Sequence, residues 1–293
     1  MAIIFLKPTF LRVMFAALLL IATAFSTSCS LIDKGLIGEI KEESLASEGE
    51  QPPASNNYQG LRFETTQLDF SVIEASFPRL VCLGDSVTFG WNLSYEKTFS
   101  FLLEKELRKQ YSEAMVINSG IGGQTIIDGL NRLENDLFYF EPQLVIINFG
   151  LNDAFIVIEE DSQEQISTAS DLKNNIDLDT FTDIYKQLVG ELLEKDIEII
   201  IMGTNPVIIE SIWENENIAQ KQEESYVLYN RAAKDIAEDH GLMFVNIQKS
   251  FIADGQSDIL IQPDGLHPSE AGLILISEIL YKSLKSVDLS GKE

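Results

Sequence analysis

Histidine and cysteine are scarce in this 293-residue chain: the histidines are His240 and His267, the cysteines Cys29 and Cys82. Cys82 stands in an apolar run of strand length and reads as a small buried hydrophobe, and Cys29 lies far from it in sequence. With no CxxC and no metal-spaced cluster, neither a disulfide framework nor a zinc site can be assembled. A mechanism that needs imidazole has only these two histidines to draw on, and His240, before Gly241 at the end of a long helical pattern, reads as a helix-end residue favoured by the dipole. Basic side chains are also few, 21 Lys and Arg against 46 Asp and Glu, for a net charge of −25. That sign excludes nucleic acid as a partner and excludes docking on anionic lipid through a basic patch. Gly-x-Ser-x-Gly is absent, which rules out the nucleophile elbow of α/β-hydrolases. Gly120-x-Gly122 has Thr125 where a dinucleotide loop needs its third glycine.

Long apolar runs are rare as well, and the conspicuous one is at the amino terminus. Lys7 and Arg12 precede Val13 to Phe25, followed by Ser26-Thr27-Ser28-Cys29. A basic start, a short hydrophobic core and a small-residue site describe an export signal. Small residues directly before a cysteine resemble the lipobox of bacterial lipoproteins, with Ser26 standing where an aliphatic residue is usual. The resemblance implies that residues 1–28 are a lipoprotein-type signal peptide and Cys29 the lipidated first residue of an extracytoplasmic, membrane-anchored protein; an uncleaved anchor or ordinary secretion as a soluble protein are the alternatives. Each buried CH₂ of an acyl chain contributes roughly 0.8 kcal/mol, so several chains on one cysteine tether firmly. Removing residues 1–28 takes away Lys7 and Arg12 and moves the net charge from −25 to −27. Residues 29–57, rich in Glu, Ser, Pro and Gly, have little to pack and read as an acidic disordered linker.

Residues 58–293 read as one domain. Up to Phe77-Pro78 the alternation in Leu61-Arg62-Phe63-Glu64 suggests an edge strand or flap. Beyond Pro78 strand, turn and helix repeat. Strands are expected at Leu80–Leu83, Met115–Asn118, Gln143–Phe149, Ile197–Met202 and Leu242–Ile247. Helices are expected over Tyr95–Gln110, Thr125–Phe138, Phe181–Glu194, Ala219–Asp239 and Ser269–Leu284, with an acidic insertion at 159–179. This alternation predicts an α/β fold: a five-stranded parallel sheet with helices on both faces.

Polar residues gather where these strands end. Gly84-Asp85-Ser86 follows the first strand, Ser119-Gly120-Ile121-Gly122-Gly123 the second, and Gly150-Leu151-Asn152-Asp153 the third. Asp264-Gly265-Leu266-His267-Pro268 precedes the last helix. In a parallel sheet the strand carboxyl ends share one rim, where open α/β sheets bind ligands. The inventory suits acyl transfer: a serine needs an imidazole to take its proton, and the imidazole needs a carboxylate. Loop N–H groups and an Asn amide can serve a developing oxyanion. Asp85 and Asp153 are read as holding loop backbone.

Those blocks, in that order over about Leu80 to Leu284, resemble the signatures of the SGNH (GDSL) hydrolase family. The resemblance implies a flavodoxin-like three-layer α/β/α sandwich with Ser86 as nucleophile, His267 as base and Asp264 as its orienting acid. It also implies an oxyanion hole made of the Ser86 N–H, Gly123 and the Asn152 amide, with Gly120 and Gly122 as the other registers for the glycine. Leu151 stands where a small residue is common. No metal or cofactor is implied. Gly-Asp-Ser-Val-Thr-Phe-Gly and Asn-Asp-Ala are most similar to the lysophospholipase/arylesterase-like branch, so a serine esterase acting on short-chain acyl esters, arylesters or lysophospholipids is expected. Removal of acetyl groups from carbohydrate is the neighbouring activity. A non-catalytic surface lipoprotein with this fold is the reading from another class, and it does not require the complete set of Ser86, Asn152, Asp264 and His267.

Overall fold

The computed structural model describes residues 76–157, 173–254 and 257–289. Five parallel strands form the central sheet: β1 (Arg79–Gly84), β2 (Met115–Gly120), β3 (Leu144–Asn148), β6 (Glu198–Met202) and β7 (Met243–Val245), in the order β2-β1-β3-β6-β7. The short strands β4 (Ile156–Val157) and β5 (Lys173–Asn174) pair antiparallel beside it. Strands β1, β3 and β6 are apolar runs rather than alternating ones, as they must be with both faces covered; every residue of β3 is buried.

Helices cover both faces. On one, α2 (Phe99–Leu107) packs against α10 (Glu270–Leu284). On the other, α5 (Leu178–Leu193) packs against α3 (Ile126–Asn131) and α7 (Glu216–Asp239). Helix α5 shows why: Phe181, Tyr185, Leu188, Val189 and Leu192 fall on one stripe and are buried, and Asp177 caps the helix by accepting from the Thr180 N–H at 2.9 Å. Shorter helices α1 (Ser86–Phe89), α4 (Leu133–Asp136), α6 (Ile209–Ile212), α8 (Ile247–Asp254) and α9 (Ser257–Leu260), with 3-10 turns at Tyr95–Lys97 and Phe138–Phe140, complete the helices of the described residues. The architecture is the flavodoxin-like three-layer sandwich expected from the sequence.

Local differences have local causes. The helix expected over Tyr95–Gln110 is interrupted at Thr98, which is extended and caps α2 through its hydroxyl. The helix expected over Thr125–Phe138 breaks at Arg132, whose guanidinium turns inward to the Gly84 carbonyl at 2.9 Å and Asp136 at 3.1 Å. Of the acidic insertion, Lys173–Asn174 is β5 and α5 starts at Leu178, while 158–172 lie outside the described residues, as do the signal, the linker and the stretch to 75. No helix among the described residues is long and apolar enough to cross a membrane.

Register matters most for function. Gly84 of β1 is level with Gly120 of β2 and Asn148 of β3, so the loops that follow leave the sheet from one line. The loop after β3 is held from beneath by Gln222 of α7, a fully buried amide. Its Oε1 accepts from the Ile156 N–H at 2.7 Å and its Nε2 donates to the Ala154 carbonyl at 2.8 Å. Gln222→Leu keeps the volume and strands both backbone groups, and should lower the unfolding free energy by about 1–3 kcal/mol. Urea denaturation checks this; an unchanged midpoint would contradict the pinning role.

Candidate active site

Strand β1 ends at Gly84 and the chain turns at once into the single turn α1. Asp85 makes that turn possible, its Oδ1 accepting from the Val87 N–H at 2.9 Å. Gly90 ends it in the left-handed conformation, φ 83°, and the Trp91 N–H reaches back to the Ser86 carbonyl at 3.1 Å. The turn lies so close to β2 that a Cβ on Gly120 would meet the Phe89 nitrogen at 2.2 Å. Asn118 secures the same contact: its Nδ2 donates to the Thr88 carbonyl at 2.8 Å and its Oδ1 accepts from the Gly120 N–H at 3.0 Å. Ser86 is thereby fixed at the rim and 6% exposed.

His267 and Asp264 arrive from the far end of the chain, on a turn between an isolated bridge, Ile261 with Pro268. Asp264 Oδ1 accepts from the Leu266 and His267 N–H groups at 2.9 and 3.0 Å, which leaves Oδ2 for the imidazole, Nδ1 to Oδ2 2.7 Å. Nε2 on the other side of the ring is 2.9 Å from Ser86 Oγ. Burial works to raise the Asp264 pKa, but the hydrogen bond and charge of His267 outweigh it and hold the carboxyl below its ordinary range. Such a chain can take a proton from a serine hydroxyl as it attacks a carbonyl carbon.

The loop from β6 braces this turn. Asn205 Nδ2 donates to the Leu266 carbonyl at 2.9 Å, and the Ile208 N–H donates to the Gly265 carbonyl at 2.7 Å. Gly265 is left-handed, φ 77°, and a Cβ there would lie 2.6 Å from the Ile208 carbonyl oxygen.

The remaining expected residues lie on the loops that follow β2 and β3, and one of them adjoins Ser86. Gly122 lies beside it: a Cβ on Gly122 would stand 3.9 Å from Ser86 Cβ and 2.8 Å from the Trp91 ring. Gly123 is left-handed, φ 80°, with open space where its side chain would be. Asn152 donates its Nδ2 to the Gln124 carbonyl at 2.9 Å, which ties the loop after β3 to the glycine loop and leaves a second amide proton. Gly120, by contrast, is packed under α1 and cannot face a ligand. His240 sits at the end of α7 with Nδ1 2.9 Å from the Ile236 carbonyl, far in role from the rim. Among the described residues no group of three His, Cys, Asp or Glu side chains could hold a metal. Cys82 is buried and unpaired, and burial pushes its thiol up.

Trp91 and Gln262 were not singled out by the sequence reading. The Trp91 ring stacks on His267, centroids 5.6 Å apart and 23° between planes. Gln262 Nε2 lies 2.8 Å from the Trp91 carbonyl. Neither has a sequence signal of its own, because each is defined by a neighbour on a distant segment.

These features define an open α/β protein whose rim carries a Ser–His–Asp hydrogen-bonded chain beside a glycine loop. Residues 82–273 match the GDSL-like lipase/acylhydrolase family. The chain belongs to that family. An arylesterase of Vibrio mimicus is 32% identical over 129 residues, covering 38% of this chain and 64% of the relative. An acetylxylan esterase of Geobacillus stearothermophilus is 27% identical over 171 residues, covering 58% of this chain and 71% of the relative. The uncharacterized lipoprotein YqeF of Bacillus subtilis is 26% identical over 228 residues, 68% of this chain and 86% of the relative. Among solved structures, the lipase/acylhydrolase of Enterococcus faecalis superposes with a TM-score of 0.58 at 23% identity, over 71% of this chain and 96% of the other. That likeness carries the fold.

Beneath the rim sit two carboxyls that the sequence reading assigned to loop backbone. Asp153 Oδ1 accepts from the Ile126 N–H at 2.9 Å, as Asp85 does from Val87. Burial pushes both up to about 7, and the Asp153 charge adds to the effect on Asp85 while Arg132 opposes it. A carboxyl raised in the folded state contributes stability that is complete below the unfolded pKa of about 4 and is lost as pH rises through about 7. Asp85→Asn should therefore gain on the parent from pH 5 to pH 8, by about 1 kcal/mol or more. Denaturation at the two pH values checks it; a difference independent of pH would contradict the buried-acid account.

Proposed function

We propose that the protein is a serine ester hydrolase that works through an acyl-serine intermediate. The observation that carries this reading is the pair of hydrogen bonds on His267, 2.7 Å to Asp264 and 2.9 Å to Ser86. Ser86 Oγ attacks the ester carbonyl carbon as its proton passes to His267 Nε2. Asp264 holds the ring by Nδ1 and stabilises the imidazolium. Negative charge on the carbonyl oxygen is received by the Ser86 N–H, the Gly123 N–H and the second amide proton of Asn152. The imidazolium returns its proton to the departing alcohol, and the acyl–Oγ bond replaces the ester. A water, deprotonated by the same nitrogen, then releases the acid and restores Ser86. Gly123, open toward solvent, suits the donor role better than Gly120, which is covered by α1. No step calls for a metal or cofactor.

The substrate proposed is a carboxylic ester with a short acyl chain or an aryl leaving group, supported by the arylesterase relative. Deacetylation of carbohydrate is the second reading, supported by the acetylxylan esterase relative, of which this chain covers 71%. We further propose an exported lipoprotein anchored through Cys29, supported by the Ser26-Thr27-Ser28-Cys29 signal and by the lipoprotein relative. Radiolabelled palmitate should enter the parent and not Cys29→Ala; equal labelling would refute the anchor.

With 4-nitrophenyl acetate as substrate, Ser86→Ala and His267→Ala should abolish turnover, and Asn152→Ala should reduce kcat by on the order of 10²–10³. Activity retained by Ser86→Ala would end the nucleophile assignment, and an unchanged kcat in Asn152→Ala would remove that side chain from the oxyanion hole.

A further inference from the structure

The Ser86–His267 bond joins segments 181 residues apart, and in the proposed reaction it does not persist. Once Ser86 carries an acyl group its hydroxyl is gone, and the imidazole must face a water from the same place. Something other than the reacting atoms has to keep the two segments in register through the cycle.

Gln262 is built to do this. It follows Ile261, one end of the bridge that carries the Asp264–His267 turn. Its N–H donates to the His267 carbonyl at 2.7 Å, and its own carbonyl accepts from Gly265 at 2.9 Å. Its side-chain amide then uses both protons, one on the Pro268 carbonyl at 2.9 Å and one on the Trp91 carbonyl at 2.8 Å. Both partners are carbonyl oxygens, which only accept, so the amide nitrogen must face them. Trp91 in turn donates its N–H to the Ser86 carbonyl at 3.1 Å and lays its ring on His267. The contacts close a circuit: His267 to Pro268 along the chain, Pro268 to Gln262, Gln262 to Trp91, Trp91 to Ser86. Every link in it except Ser86 Oγ to His267 Nε2 is untouched by proton transfer or acylation.

We propose that Gln262 is a positioning residue that clamps the serine turn to the histidine turn through the Trp91 carbonyl. The inference rests on the Ser86–His267 reading above. A second connection between the same two stretches, the Lys97–Glu270 ion pair at 2.7 Å, is solvent-exposed on both sides and serves as a control for mere attachment. A clamp of this kind acts on attack geometry and not on substrate capture, so its loss should appear in kcat. Displacement of an attacking atom by about 1 Å costs up to roughly 10²-fold in rate.

The test uses the full chain, a fluorophosphonate probe for the Ser86 labelling rate, and 4-nitrophenyl acetate for kcat and KM. Gln262→Leu should lower the labelling rate and kcat by roughly 10- to 100-fold with KM within about twofold of the parent. Lys97→Ala should stay within about twofold in all three. Gln262→Glu keeps the reach of the side chain but opposes two carbonyls when ionised. The two facing carbonyl oxygens raise the pKa of the introduced carboxyl, so the variant's deficit relative to the parent should be large at pH 8 and shrink toward pH 5, where the acid donates one of the two bonds. This variant also serves if Gln262→Leu does not fold. Labelling of Gln262→Leu at the parental rate per folded molecule would overturn the clamp, as would a Gln262→Glu deficit that ignores pH. Failure of the parent itself to label at Ser86 would instead strike the underlying reading, and the clamp with it.

Discussion

Strand β1 hydrogen-bonds to β2 on one side and β3 on the other, and this double pairing sets the height of the loops at the rim. Because Gly84, Gly120 and Asn148 are level, the serine turn, the glycine loop and the Asn152 loop all begin from one line. The close approach of α1 to β2 then follows, since only a residue without a side chain fits at Gly120 against the Phe89 backbone. A slip of one residue in β1 would turn every buried side chain of that strand to the opposite face. The apolar run Leu80-Val81-Cys82-Leu83, buried on both sides, thus fixes a functional geometry while doing nothing chemical itself.

Above this frame the polar groups are arranged in tiers. Asp85 and Asp153 face inward and hold N–H groups of the loops that bear the chemistry. They do so as buried carboxyls raised to about 7, a cost that the apolar core offsets. Asp264 is the opposite case: it too is drawn inward, yet His267 and two backbone N–H groups keep it ionised. Environment, not residue type, separates the acids that support loops from the one that orients an imidazole.

Much of this could be read from the chain. The strands were legible because buried parallel strands are continuous apolar runs, and the triad candidates because histidine is so scarce that His267 stood out beside Asp264. The break at Arg132 was not legible, because it depends on a bond to Gly84, 48 residues away, whereas Thr98 caps its helix through the local Phe101 N–H, a helix-start signal that the apolar spacing around it obscured. The fold left α8 and α9 to be found in the structure, since helices of this length carry too few turns to show a periodicity. Gln262 was hidden for a different reason. A glutamine is ordinary in any turn, and only the arrival of Trp91, 171 residues away, gives it two carbonyls to hold. Likewise Gly123 was preferred over Gly120 and Gly122 by its spacing from Asn118 alone, and the packing of Gly120 under α1 and of Gly122 against Trp91 comes from the Ser86 segment.

The central claim is that His267 activates Ser86. Fluorophosphonate treatment of the full chain, followed by intact mass and peptide mapping, tests it most directly. One adduct is expected, on Ser86, formed by the parent and lost in His267→Ala. An adduct elsewhere, or none in a protein shown to be folded by circular dichroism, would contradict it and favour a binding protein that keeps the fold without the chemistry.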